Sequence, residues 1–120
     1  MIILNKTLKR VREAKGFSQK ELAGFIDMAQ AQYSRIESGK TDPSFSTVSK
    51  ISEALGMNLT ELFSADEIFN DTNVYDKTLM EKLRLLDSLD EIEKKSIYTL
   101  IDSLISKKKL KDSLQNLANL

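Results

Sequence analysis

The sequence contains neither cysteine nor histidine among its 120 residues. Without cysteine there is no disulfide, no thiolate metal site and no thiol nucleophile. Without histidine, imidazole acid–base catalysis and His-ligated zinc or haem are excluded. Proline occurs once and glycine four times, which is too little punctuation for a turn-rich β fold and favours helices. No apolar run approaches the roughly 18 residues that a membrane-spanning helix needs. The opening MIILNKTLKRVRE is too short and too charged for a signal peptide. These absences lead to an expectation of a cytoplasmic protein that is not an enzyme and uses no cofactor, metal or membrane.

Hydrophobic residues make up 41% of the chain, enough for a core, and charged residues 30%. The formal net charge is zero, but it is unevenly spread. Residues 1–63 carry a charge of +2, residues 64–93 a charge of −6, and residues 94–120 a charge of +4. A neutral total can therefore conceal a basic binding face.

The pattern along the chain is helical throughout. Leu4, Leu8, Val11 and Ala14 recur at helical spacing until Gly16 stops the first helix. Ser18 and Glu21 form an S-x-x-E capping box before the apolar Leu22, Ala23 and Ile26. After a break at Asp27–Met28, the stretch Gln30–Ser38 makes a third helix, with Tyr33 and Ile36 inward and Gly39 as its stop. Ser44 caps a fourth helix through Leu55, and Asn58 a short fifth one, Leu59–Phe63. Residues 64–77 turn polar and read as a linker. Thr78–Ser88 carries Leu79, Leu83 and Leu86, and Asp90 with Glu93 caps a long last helix. Its stripe is Ile97, Leu100, Ile101, Leu104 and Ile105, interrupted by Lys107–Lys109 and resumed at Leu110, Leu114 and Leu117.

Two short helices joined by a tight turn within a five-helix unit suggest a helix-turn-helix. Ala23 stands where the two helices approach closely. Tyr33 and Ile36 take the inner face of the second, leaving Gln30, Ala31, Gln32, Ser34 and Arg35 outward. A merely solvated helix would more often carry Glu and Lys there. Gln can pair two hydrogen bonds with adenine, and Arg can bind guanine or phosphate.

The segment SQKELAGFIDMAQAQYSRIESGKTDPSFSTVSKISEALGMNLTELF resembles the phage-repressor/Cro-type helix-turn-helix of the XRE family. The run Ser18-Gln19-x-Glu21-Leu22-Ala23, the block Ser34-Arg35-Ile36-Glu37-x-Gly39-Lys40, Pro43 and Ala54-Leu55-Gly56 all fall in register, over roughly residues 5–63. Two positions depart from the family pattern. Asp27 stands where glycine is usual, and Ala29 where serine or threonine commonly caps the recognition helix.

The resemblance implies an all-α fold, with a five-helix DNA-binding domain over 1–63 followed by a helical hairpin. It implies that Gln30, Ala31, Gln32 and Arg35 face the major groove of double-stranded DNA. Gln19, Lys40, Thr41 and the backbone around Gly39 and Thr41 would hold phosphates, and Arg12 and Glu37 would form a structural ion pair. Lys6, Lys9 and Arg10 read either as a further phosphate-facing stripe or as a solvated face. Lys107–Lys109 reads either as helix surface or as a second DNA contact.

One recognition helix reads only a few base pairs, and operators are commonly read by dimers whose helices sit about 34 Å apart. Residues 78–120 are the expected dimerisation segment, because their apolar stripe exceeds what one hairpin can bury. The proposed seam is Ile97, Leu100, Ile101, Leu104 and Ile105. The alternative is a hairpin packed on its own DNA-binding domain in a monomer. The expected function is a sequence-specific transcriptional regulator, a homodimeric repressor on a two-fold symmetric operator. A second reading is an interaction module whose accessory helices bind a protein partner such as a toxin.

Overall fold

The computed structural model describes residues 4–66 and 74–118, the side chains of 74–79 and 105–118 excepted. Seven helices and no strand occur among the described residues: α1 (Asn5–Ala14), α2 (Gln19–Phe25), α3 (Gln30–Glu37), α4 (Phe45–Ala54), α5 (Leu59–Ser64), α6 (Val74–Asp87) and α7 (Glu91–Ala118). The fold is all-α.

The helix starts follow local chemistry. Ser18 Oγ accepts from Glu21 N at 3.0 Å while the Glu21 carboxylate accepts from Ser18 N at 3.0 Å. Asn58 with Glu61 and Asp90 with Glu93 form the same reciprocal box at the starts of α5 and α7. Ser44 caps α4 by accepting from Thr47 N. α1 and α3 start without such help, since their N-caps Leu4 and Ala29 have no side chain that can accept a bond. Just before α3, Asp27 takes the left-handed conformation at φ 57°. Asp tolerates that region better than most residues, which is how the tight turn forms without glycine. Gly39 closes α3 at φ 79°, where an added Cβ would come within 3.2 Å of the Asn5 amide nitrogen.

Leu4, Leu8, Leu22, Ala23, Tyr33, Ile36, Val48, Ile51, Leu55 and Leu62 fill the centre of the five-helix unit. The core does not end there. α6 packs on α5 and α7 on α4, and Leu83 and Tyr98 are buried in the same cluster. The Tyr98 and Phe45 rings lie 5.2 Å apart. Met80, Leu86 and Ile101 pack against the cluster from its edge.

Two details differ from the sequence reading. Helix α6 begins at Val74, inside the stretch 64–77 read as a linker, because polar composition alone does not distinguish a connection from a solvated first turn. Residues 67–73 of that stretch lie outside the described residues, as do the side chains of Leu79, Ile105, Lys107–Lys109, Leu110, Leu114 and Leu117. The apolar stripe of α7, read as in excess of what one hairpin can bury, is also partly covered by the five-helix unit. Ile101 packs on the common core, and Tyr98, which the stripe omitted, faces Phe45. Leu100 and Leu104 remain 55% and 57% exposed.

Candidate nucleic-acid interface

Helix α3 is divided cleanly between its two sides. Tyr33, Ile36 and Glu37 are buried, whereas Gln30, Ala31, Gln32 and Arg35 are exposed on the opposite side. Of the five residues read as outward, these four are exposed and Ser34 is half-buried. The first backbone N–H groups of α3 have no capping side chain, so the positive end of the helix dipole is open beside Gln30 and Gln32.

That surface is held by a buried polar junction. The Glu37 carboxylate accepts from Arg12 Nε at 2.6 Å and from Arg12 Nη2 at 3.1 Å, a two-pronged ion pair between α1 and α3. Arg12 Nη1 donates to the Phe17 carbonyl at 2.7 Å. Gln19 Nε2 donates to Glu37 Oε1 at 3.2 Å, which brings α2 into the same junction. Burial pushes the Glu37 carboxyl up. The hydrogen bonds from the Arg12 guanidinium and the Gln19 amide oppose it, and the group is left below its ordinary value. The hydrogen bond to Glu37 raises Arg12 against the opposing effect of burial. Burial, with the Glu37 carboxylate beside it, lifts the Tyr33 hydroxyl well above its usual range, and Tyr33 Oη forms no hydrogen bond among the described residues.

Around this junction the remaining residues fall as follows. Gln19 is half-buried and spends one amide hydrogen on Glu37, so it reaches α3 as well as the α2 start. Lys40 and Thr41 are exposed at the end of α3. Their backbone amides are not open to a ligand, contrary to the expectation for this loop. Gly39 N donates to Ile36 O, and both Lys40 N and Thr41 N donate to Arg35 O at 3.0 and 3.2 Å. The last carbonyls of a helix need donors, and the loop supplies them. That leaves the Lys40 ammonium and the Thr41 hydroxyl. On α1, Lys6 and Lys9 are exposed, while Arg10 donates to the Ala65 carbonyl at the end of α5.

The sequence reading missed the Gln19–Glu37 bond and two carboxylates of the accessory helices. Asp102 binds the start of α4 and Asp87 the start of α5. Separations of 27 to 57 residues leave no local signal for these contacts. The one available hint is that both helix starts carry a hydroxyl at the second position, Ser46 and Thr60.

Among the described residues no helix is long and apolar enough to cross a membrane. Residues 8–62 match the family model described as Helix-turn-helix. The chain is 30% identical over 110 residues to the cryptic phage CTXphi transcriptional repressor RstR of Vibrio cholerae, covering 92% of this chain and 95% of that protein. It is 43% identical over 60 residues to control protein C.MunI of a Mycoplasma species, covering 50% and 81% respectively. It is also 30% identical over 91 residues to the HTH-type transcriptional regulator ImmR of Bacillus subtilis, covering 74% and 72%. A helix-turn-helix with a polar outer face on its second helix, joined to this likeness along nearly the whole of a repressor, makes the chain a member of the XRE-type helix-turn-helix family of transcriptional regulators.

Proposed function

We propose that the protein is a cytoplasmic transcriptional repressor that reads a two-fold symmetric operator in double-stranded DNA as a homodimer. The observation that carries this reading is the outer face of α3. Gln30, Gln32 and Arg35 stand exposed there on a helix whose inner side is pinned by the buried Arg12–Glu37 pair. In the major groove, Gln30 and Gln32 read base edges and Ala31 offers a methyl contact. Arg35 binds guanine or phosphate. Gln19, the Lys40 ammonium and the Thr41 hydroxyl hold phosphates on either side, which sets register without reading sequence. Similarity to a protein named a transcriptional repressor supports repression as the outcome, through occupancy of the site.

Dimerisation assigns a partner to the apolar surface of α7 that the intrachain core leaves uncovered. Leu100 and Leu104 are the centre of this seam, with Ile97 at its flank, Ile101 through the part of its surface not packed on the core, and Ile105 beyond. Two α7 helices meeting about a two-fold axis bury that surface and place two α3 helices for successive major grooves.

The test is selection of bound sequences from random duplex DNA by the purified full-length chain, with its mass measured in solution. A two-fold symmetric motif bound by a dimer is expected. A folded chain that enriches no motif would overturn the reading and favour an interaction module that needs a second protein, such as a toxin.

A further inference from the structure

The two accessory helices reach the DNA-binding unit through a repeated device. Asp102 of α7 places one carboxylate oxygen 2.6 Å from Phe45 N and the other 3.3 Å from Ser46 N and 2.8 Å from Ser46 Oγ. Asp87, at the end of α6, does the same at α5. One oxygen accepts from Leu59 N at 3.1 Å, and the other from Thr60 N at 3.0 Å and Thr60 Oγ1 at 2.7 Å. In each case the helix's own cap, Ser44 or Asn58, takes the third amide. The first three N–H groups of both helices are thereby satisfied, two of them by a charge on another element at the positive end of the dipole.

The chemistry of these contacts differs from that of the surrounding packing. Apolar contact is non-directional, so Leu83 and Tyr98 alone would let α6 and α7 roll or slide on the core with little penalty. A carboxylate with three directed acceptor bonds fixes both rotation and axial position. Two such anchors hold each accessory helix to its own neighbour, α6 to α5 and α7 to α4. One of them sits on α4, which starts directly after the Lys40–Pro43 loop that ends α3.

We infer that Asp87 and Asp102 are positioning residues that lock α6 and α7 at a single orientation to the recognition helix. In a dimer joined through α7, that angle sets the distance between the two α3 helices and so the half-site spacing that is accepted. This consequence for DNA rests on the dimeric reading; the lock itself does not.

The absence of native cysteine allows a direct test on the full chain. Lys20→Cys on α2 and Lys95→Cys on α7, both exposed, carry spin labels, and labelled chain is diluted with unlabelled chain so that only intrachain distances are read. A single narrow distance distribution is expected, becoming about twice as broad in the Asp87→Ala/Asp102→Ala background while helical circular dichroism is retained. Asp102→Asn, which keeps the shape and loses the charge, is expected to broaden it in the same direction and serves if the double variant does not fold. Equal widths in all backgrounds would overturn the lock.

The second readout uses the selected half-site arranged as inverted repeats whose separation is stepped by one base pair. The ratio of affinity at the best spacing to that at its neighbours is expected to fall about tenfold in Asp102→Asn, with binding to a lone half-site unchanged. An unchanged ratio would overturn the positioning role. A wild-type profile flat in spacing would overturn the dimeric reading, while the label widths still decide the lock.

Discussion

Arg12 Nε and Glu37 Oε2 lie 2.6 Å apart, both side chains almost wholly out of solvent, on helices that meet beneath the exposed face of α3. Removing one partner leaves the other charge buried without its principal counter-charge. Arg12→Ala or Glu37→Ala is therefore expected to cost about 3–5 kcal/mol in urea unfolding, whereas replacing both by Met and Leu costs much less. Single-variant losses below about 1 kcal/mol would mean the pair behaves as a solvent-screened surface contact.

The same junction sets a pH dependence. In the native protein Glu37 titrates below its value in the unfolded chain, because the Arg12 guanidinium holds the carboxylate charged. Such a group contributes stability that is complete above the unfolded value and is lost as pH falls through the native value. Urea midpoints followed downward from neutral pH should fall in the acid range, and Glu37→Gln should start lower and fall less steeply. Parallel curves for the two proteins would remove Glu37 as a source of the acid sensitivity.

The turn before α3 carries two substitutions that ought to stabilise. Asp27 at φ 57° has the backbone of a glycine site, so Asp27→Gly is expected to gain up to about 1 kcal/mol and Asp27→Val to lose more than that. Ala29 has the extended backbone of a cap, φ −65° and ψ 140°, but no side-chain oxygen to accept from the first N–H groups of α3. Ala29→Ser is expected to add about 0.5–2 kcal/mol. Thermal and urea midpoints check both, and a stabilising Asp27→Val would show that the turn relaxes out of the left-handed region.

Readout and affinity separate by residue. Gln32→Ala is expected to cost about 1–3 kcal/mol on the selected operator and almost nothing on unrelated DNA. Lys40→Ala should weaken both alike and lower the slope of log affinity against log salt by about one. Equal losses for Gln32→Ala on both DNAs would remove it from base reading, and an unchanged salt slope would remove Lys40 from the phosphates.

What could be read from the sequence follows the range of the interactions. The boxes Ser18–Glu21 and Asp90–Glu93 span three residues each, so spacing alone revealed them, and it revealed the Asn58 cap though not its Glu61 partner. The inward Tyr33 and Ile36 followed from helical period, which also separates them from Gln30, Gln32 and Arg35. The contacts that join the halves depend on topology instead. Tyr98 on Phe45, Asp102 on Ser46 and Asp87 on Thr60 connect residues brought together only by the packing of α6 and α7. Nothing about an isolated aspartate within a helix identifies it as the cap of a distant one. The loop after α3 was misread for a related reason, because whether Lys40 and Thr41 amides are open depends on how the Arg35 carbonyl is turned.

The uncovered face of α7 separates association from folding. Leu100 and Leu104 are more than half exposed, so placing lysine at both should alter the stability of a single chain by no more than about 0.5 kcal/mol each. If they are the centre of a two-fold seam, the same change puts like charges opposite one another in its middle. The Leu100→Lys/Leu104→Lys variant is then expected to weaken self-association by at least about a hundredfold. Its affinity for the full operator should fall towards that for a lone half-site, because the two recognition helices no longer arrive together. Sedimentation and operator titration of the same preparation decide it. A variant that remains a dimer with full operator affinity would place the seam elsewhere, whereas one that loses its thermal transition would show that these leucines hold the hairpin on its own core.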